Sequence, residues 1–247
     1  KLTFYAELKT GENVMLPSAE ILLNELNPNE FLHHVMLVRN TSGEYETKSI
    51  GKTADLNASA QNDQHTFVVG ANGSILRYNG VTLGIQSSPT GQNLNDVVAH
   101  DDNVFYTVGD TGTILHFDGF SWATLSSPVT KDLYGIARTT TAVWAVGDGI
   151  ILKGTESGFF IEGTSFSETL NDVACNDYDT CRAVGEDGTV YANLGASWFK
   201  ESFPTDDQLL AIDSHQDRFV VTGVRGLVAI RDAGDGWQIL PPPTYDS

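Results

Sequence analysis

The chain has 247 residues, a length that suits one large domain or two ordinary ones, and it carries 32 acidic side chains against 14 Lys and Arg. The resulting net charge of -18 excludes binding to the phosphate backbone of nucleic acids and to anionic membrane surfaces. No stretch approaches the roughly 18 consecutive apolar residues of a membrane span.

Residues 1–55 contain four segments with the hydrophobic pattern of short strands: LTFYAEL, AEILLNEL, HHVMLVRN and EYETKSI. The second segment also fits a helix, because Ser18 can cap its start and Pro28 can end it. The sequence leaves the choice between strand and helix open there.

From Leu56 onward the sequence repeats, and the period measured between marker glycines is 38 or 39 residues. A leucine opens each copy, and the marker glycine follows it 14 or 15 residues later. The leucines are Leu56, Leu94, Leu133, Leu170 and Leu209, and the glycines are Gly70, Gly109, Gly147, Gly185 and Gly223. The copies are residues 56–93, 94–132, 133–169, 170–208 and 209–240, followed by a tail of residues 241–247.

Each copy contains four short apolar runs, as in LNDVVA, VFYTVG, TILHF and SWATL of the second copy. None of these runs is long enough for an ordinary helix, so we predict four strands per copy. Between the second and third strands most copies have the pattern G-x-x-G. Asn72-Gly73 and Asp187-Gly188 supply the positive φ angles that a two-residue hairpin turn needs.

Four antiparallel strands repeated at a period near 40 are typical of propeller blades. A solenoid is the competing interpretation, and it is disfavoured because solenoid repeats carry fewer strands over shorter periods. We therefore predict an all-β protein, a β-propeller of four-stranded antiparallel blades. The prediction has six blades with residues 1–55 as a degenerate first blade; the alternative is five blades and an N-terminal extension.

The frame L-N-D-V-A, then A-V-G-x-x-G-T-I-L and D-G-x-x-W, resembles the blades of Ycf48-like photosystem assembly factors and of related bacterial propellers with sialidase-type repeats. The resemblance covers about three quarters of the chain and implies a propeller fold. It also implies an assembly-factor role as one alternative. A factor of that kind is expected to carry a basic patch, and the acidity of this chain counts against it.

The two cysteines fall at the ends of neighbouring predicted strands. Cys175 ends the first strand of the fourth copy and Cys181 begins the second, and this spacing permits a disulfide. A zinc site is disfavoured, because the chain has no third cysteine and no histidine near the pair. A disulfide predicts a secreted, periplasmic or cell-surface protein, since such bonds persist in oxidising compartments.

Ligand sites in propellers lie where the central channel opens, at the starts of innermost strands and at the turns between second and third strands. The candidates at these positions are Asn57, Asn95, Asp96, Asp110, Tyr134, Asp148, Asn171, Asp172, Asp187 and Arg225. One hypothesis is that this acidic set holds a cation such as calcium, or a cationic or polyhydroxylated ligand. The other is that Asp96 and Asp172 accept backbone N–H groups of adjacent blades, while the acids in the turns support those turns.

The sequence contains no nucleophile with a base, no zinc-protease motif and no phosphate loop. Our first hypothesis is therefore a non-catalytic extracellular binding module, without a cofactor, that presents one face to a protein or a glycan. The alternatives are a carbohydrate-active enzyme, either a glycoside hydrolase or a polysaccharide lyase, and a Ycf48-like assembly factor. A glycosidase would need two carboxylates roughly 5 to 9.5 Å apart in a cleft.

Overall fold

The computed structural model describes residues 54–100, 103–155, 158–162, 166–176 and 179–241, and the backbone of four short strands before residue 54. In a compact unit of residues 1–33, β1 (Ala6–Glu7) pairs antiparallel with β2 (Asn13–Val14). In the unit of residues 34–247, β3 (Val35–Arg39) pairs antiparallel with β4 (Tyr45–Ser49). The segment predicted as strand or helix and the tail after residue 241 lie outside the described residues. The sixth blade therefore stays a prediction.

Each of the five sequence copies forms one four-stranded antiparallel sheet, as predicted. The first two sheets contain β5 (Leu56–Gln61), β6 (Thr66–Gly70), β7 (Ser74–Tyr78) and β8 (Leu83–Ile85), then β9 (Leu94–Ala99), β10 (Phe105–Gly109), β11 (Ile114–Phe117) and β12 (Trp122–Thr124). The third and fourth contain β13 (Leu133–Arg138), β14 (Val143–Gly147), β15 (Ile150–Thr155) and β16 (Gly158–Ile161), then β17 (Leu170–Cys175), β18 (Cys181–Gly185), β19 (Val190–Asn193) and β20 (Trp198–Glu201). The fifth contains β21 (Leu209–His215), β22 (Arg218–Gly223), β23 (Val228–Arg231) and β24 (Gln238–Ile239).

The five sheets pack against one another in sequence order. Their first strands are neighbours, β5 with β9, β9 with β13, β13 with β17 and β17 with β21. Buried apolar side chains fill the interfaces, and between the first two sheets Phe67 contacts the rings of Phe105, Phe117 and Trp122. Short four-stranded sheets that pack successively through their inner strands are the blades of a β-propeller.

The turns between second and third strands have the backbone conformation that their sequence predicts. Asn72 and Gly73 have φ angles of 55° and 66°, and Asp187 and Gly188 have 52° and 61°, all in the left-handed region. In four of the five blades the turn is one residue longer than predicted, and the third blade has the two-residue turn Asp148-Gly149. In the second blade it is a three-residue 3₁₀ turn, Asp110–Gly112, because the N–H of the next residue donates to the carbonyl oxygen of the first residue of the turn (3.0 Å).

The predicted disulfide is present. Cys175 and Cys181 are joined by a bond of 2.03 Å and are direct partners in the ladder between β17 and β18. The loop that they close also contacts both neighbouring blades. Asp179 accepts a hydrogen bond from the backbone N–H of Thr140 (2.7 Å), and Ser214 Oγ donates to the carbonyl oxygen of Cys175 (2.9 Å). The bridge therefore restrains a loop that links the third, fourth and fifth blades.

Replacing both cysteines, Cys175→Ser with Cys181→Ser, is expected to lower the free energy of unfolding by about 2 kcal/mol, because the bridge no longer restricts the unfolded chain. Urea denaturation of the wild type and the double variant measures this difference. As a control, alkylation of the unreduced wild type should label neither thiol. Label on either cysteine would contradict the bridge, and coincident unfolding curves would contradict its contribution to stability.

Candidate functional site

All ten predicted site residues lie at one end of the blades, where the chain enters each first strand and turns from the second strand to the third. We call this end the turn face. Its two parts are held together by a backbone hydrogen bond repeated in all five blades, from the N–H after the marker glycine to the carbonyl before the opening leucine. In the first two blades these bonds are Ala71 N to Asp55 O (2.8 Å) and Asp110 N to Asn93 O (3.0 Å).

Each first strand has a β-bulge directly after its opening leucine, and a bulge re-aims the side chain of the extra residue. In three blades the extra residue is an asparagine, and its Nδ2 donates to the carbonyl oxygen of the opening leucine of the next blade. The bonds are Asn57 to Leu94 (2.9 Å), Asn95 to Leu133 (2.9 Å) and Asn171 to Leu209 (2.7 Å). These asparagines therefore link adjacent blades.

Asp96 and Asp172 follow the bulges of the second and fourth blades, and their carboxylates also link blades. One oxygen of Asp96 accepts the N–H of Val97 (2.8 Å), and the other accepts the N–H of Ile136 in the third blade (2.8 Å). Asp172 repeats the arrangement with Val173 (2.7 Å) and with Ile212 in the fifth blade (2.8 Å). This is the structural role that one of the two hypotheses assigned to these residues. Ligand binding by them stays a prediction.

Both of these carboxyl groups have raised pKa values. Burial raises the pKa of Asp96 to about 7, the negative charge of Asp172 adds to the shift, and the two N–H donors oppose it. Burial likewise raises the pKa of Asp172 to about 6; its own N–H donors oppose the shift, and Asp213 adds to it. Both carboxyl groups therefore change protonation close to neutral pH.

The second and third blades place an acidic cluster around Tyr134. The phenol donates to Asp148 Oδ1 (3.1 Å), and Asp110 accepts from the side-chain amide of Asn95 (3.0 Å). Burial raises the pKa of Tyr134 to about 12, together with the hydrogen bond to Asp148 and the negative charges of Asp148, Asp132 and Asp110. The cluster therefore produces a negative potential at this part of the turn face.

The fourth and fifth blades contribute Asp187 and Arg225, which stand at equivalent positions of their turns. Asp187 is exposed. The pKa of Lys200 is raised mainly by its hydrogen bond to Glu168, and the negative charge of Asp187 adds to that shift. The side chain of Arg225 is 74% exposed and forms an ion pair with Asp207. Arg225, the cation among the predicted site residues, is therefore paired with an acidic side chain of the same protein.

Sequence reasoning missed Asp132 and Glu201. Asp132 accepts the backbone N–H of Thr111, in the turn of the second blade (2.7 Å). Its position directly before the opening leucine of the third copy is the sequence feature that could have indicated this contact. Glu201 pairs with the buried Arg182 (3.0 Å) and accepts the indole N–H of Trp237 (3.1 Å), which joins the fourth and fifth blades. Nothing in the local sequence indicates this pairing, because the three residues lie on different strands or loops.

Within the described residues, no group of three or more His, Cys, Asp or Glu side chains could hold a metal ion. In that same part of the chain, no helix is long and apolar enough to cross a membrane. The arrangement offers hydrogen-bond acceptors and negative charge on an exposed surface, which suits recognition of a cationic group.

Comparisons with known proteins support the fold. No protein-family model and no curated protein sequence matches the chain. The solved structure of YCF48 bound to D1 peptide matches with a TM-score of 0.65 at 12% identity, over 84% of this chain and 74% of that one. YCF48 from Cyanidioschyzon merolae matches with a TM-score of 0.62 at 14% identity, over 81% of this chain and 76% of that one.

The chain has a Ycf48-like β-propeller fold. This confirms the resemblance inferred from the repeat frame. At identities this low the likeness establishes the fold alone, because one fold hosts many functions.

Proposed function

We propose that the chain is a non-catalytic β-propeller that binds a protein partner outside the cytoplasm. A propeller of the same fold is bound to D1 peptide, which supports a protein partner. The disulfide supports a secreted, periplasmic or cell-surface location, because such bonds persist in oxidising compartments. The assembly-factor role implied by the resemblance is one form of this proposal, since such a factor also acts by binding protein.

The turn face carries the proposal, because its acidic side chains outnumber the cations that could neutralise them. Asp132, Asp148 and Asp187 lie on this face. Of the nearby cations, Lys131 donates to the carbonyl oxygen of Asp148 (2.7 Å), and Arg225 is ion-paired with Asp207 of the preceding copy. A negative surface attracts and orients a positive one. We therefore infer that the turn face holds a positively charged protein segment.

A carbohydrate-active enzyme is the alternative function. The raised pKa values of Asp96 and Asp172 would suit a general acid. However, both oxygens of each carboxylate already accept backbone N–H groups, one from the next residue of the same strand and one from the adjacent blade. That structural role accounts for their positions, so binding is ranked above catalysis. The proposal includes no cofactor, and calcium stays an untested prediction.

The test measures binding of a lysine-rich peptide to the wild type and to the triple variant Asp132→Asn, Asp148→Asn, Asp187→Asn. Asparagine keeps an Oδ1 acceptor for the N–H of Thr111 and the phenol of Tyr134 while it removes three negative charges. We expect about tenfold weaker binding, because exposed charge contacts contribute about 0.5 kcal/mol each. Added salt should reduce wild-type binding more than binding of the variant.

The matched control is Asp63→Asn, Asp217→Asn, Asp235→Asn, which removes the same charge from exposed loops at the opposite end of the blades. Its affinity for the lysine-rich peptide should stay within about twofold of the wild type. Equal losses in the two triple variants would contradict a site on the turn face. Preference for a glutamate-rich peptide of the same length, or for a neutral oligosaccharide, would contradict a cationic protein partner.

A further inference from the structure

The turn between β7 and β8 of the first blade contains Asn79 followed by Gly80, at the end of the blades opposite the turn face. Both residues are exposed, and an added Cβ at Gly80 would meet no atom within 4 Å. Asparagine followed by glycine is prone to spontaneous deamidation, because glycine has no side chain to keep its backbone nitrogen from the asparagine side chain. The same blade has a second such pair, Asn72 and Gly73, in its turn on the turn face.

The side-chain carbonyl of Asn79 is surrounded by hydrogen-bond donors. Its Oδ1 accepts the backbone N–H groups of Val81 (3.0 Å) and Thr82 (2.8 Å), and it also accepts the hydroxyl of Thr82 (3.2 Å). Donors that converge on a carbonyl oxygen stabilise the negative charge that develops there when the carbon is attacked. The turn therefore activates Cγ of Asn79 toward a nucleophile.

The backbone nitrogen of Gly80 is the nucleophile beside that carbon. The groups around it are held in place, since the phenol of Tyr78 donates to the carbonyl oxygen of Gly80 (2.8 Å) and Asn79 N donates to Thr82 O (3.3 Å). Among the described residues, none accepts a hydrogen bond from the N–H of Gly80. This nitrogen can therefore approach Cγ without first losing a hydrogen bond to the protein.

The turn at Asn72 is held in a different way. Asn72 has the left-handed angles φ 55° and ψ 36°, and its N–H donates to Oδ1 of Asn93 (3.0 Å). Gly73 is buried, and an added Cβ there would lie 2.1 Å from the carbonyl oxygen of Thr90. Attack by the nitrogen of Gly73 requires the backbone to rotate, and these contacts oppose that rotation.

We propose that Asn79 is a site of spontaneous deamidation in the folded protein and that Asn72 is not. The nitrogen of Gly80 forms a bond to Cγ of Asn79 and gives its proton to solvent, while the bond from Cγ to Nδ2 breaks and ammonia leaves. Water then opens the resulting succinimide ring. Attack of water at Cγ gives an aspartate, and attack at the backbone carbonyl carbon gives an isoaspartate.

The second blade shows that a carboxylate fits this turn. Asp118 stands at the position equivalent to Asn79, and its Oδ1 accepts the N–H groups of Phe120 and Ser121 (2.9 Å each). The N–H groups of Ser121 and Phe120 lower the pKa of Asp118, so it stays ionised, and an ionised carboxylate is a poor target for attack. An aspartate at position 79 should therefore keep the turn. An isoaspartate adds a carbon to the backbone and should break the pairing of residue 79 with Thr82.

The test incubates the whole chain in mildly alkaline buffer and follows the conversion of each asparagine by peptide mass spectrometry. Trypsin cleaves after Arg77 and so separates Asn72 from Asn79. In the folded protein Asn79 should convert at least about tenfold faster than Asn72. The control is the same chain unfolded in urea, where the two rates should agree within about twofold, because each asparagine precedes a glycine.

Thr82→Val tests the hydroxyl donor, and it should slow the conversion of Asn79 by about threefold. Its matched control is Thr124→Val, at an exposed position of β12, which should leave the rate unchanged. Equal rates at Asn79 and Asn72 in the folded protein would overturn the proposal. Faster conversion of Asn79 in urea than in the folded protein would also overturn it, because the turn would then protect the side chain. Neither result bears on the lysine-rich peptide and the turn face.

Discussion

Replacing Gly109 by alanine is expected to destabilise the protein by about 3 kcal/mol or more, as overpacking against fixed atoms does. A Cβ at this position would lie 1.9 Å from the carbonyl oxygen of Asn93 and 3.1 Å from Cα of Leu94. Both are backbone atoms at the start of β9, so relief requires the first strand to move away from the second. That movement would also break the hydrogen bond from Asp110 N to Asn93 O.

Urea denaturation of Gly109→Ala and Gly84→Ala measures this effect. Gly84 is an exposed strand residue whose added Cβ would meet no atom within 4 Å, and its φ angle is not in the left-handed region. The control variant should therefore unfold within about 0.5 kcal/mol of the wild type. Equal stability of the two variants would show that the first and second strands do not approach as closely as described.

Lowering the pH from 8 to 5 is expected to raise the free energy of unfolding through Asp96 by about 2 to 3 kcal/mol. The pKa of Asp96 is about 7 in the folded state and 3.8 in the unfolded state, so the folded protein binds the proton more tightly. The gain in the free energy of unfolding begins as the pH falls through the pKa of the folded state, and it is complete below the pKa of the unfolded state. Asp172, with a pKa of about 6, contributes in the same direction.

Other groups titrate differently, and a variant separates them from Asp96. The pKa of His65 is lowered by burial and by Arg77, so its protonation opposes folding as the pH falls. The pKa of Glu168 is lowered to about 2 by its hydrogen bond to Lys200, so it loses stabilisation only at pH values below this window. The difference between wild type and Asp96→Asn therefore isolates the contribution of Asp96.

Asp96→Asn should be markedly less stable than the wild type at pH 5, and the difference should shrink by about 2 to 3 kcal/mol at pH 8. Asparagine keeps one acceptor but leaves one of the two backbone N–H groups without a carboxylate oxygen. Asp217→Asn, at an exposed loop, is the control and should parallel the wild type at every pH. Thermal denaturation in a series of buffers would give the comparison, and a constant difference between wild type and Asp96→Asn would refute the assignment.

The sequence by itself determined the features that depend on neighbours along the chain. The period of the marker glycines indicated one sheet per copy, because four short strands and their turns consume a fixed number of residues. The pairs Asn72-Gly73 and Asp187-Gly188 indicated left-handed turns, since few other residues adopt positive φ easily. Cys175 and Cys181 were predicted to form a disulfide because a short loop places them opposite each other on a hairpin. The blade number stays a prediction, since it depends on residues 1–55.

The tertiary structure decided which partners the polar residues of the turn face have, because those partners lie about one whole blade away. The sequence allowed Asp96 to be a ligand for a cation or a structural acceptor. The structure shows that it accepts the N–H of Ile136, 40 residues later, and ligand binding by Asp96 stays a prediction. The same holds for the core beside Gly154. The repeats show that Val143 and Gly154 stand where the second blade has larger residues, but only the packing shows that the ring of Phe159 lies over Gly154.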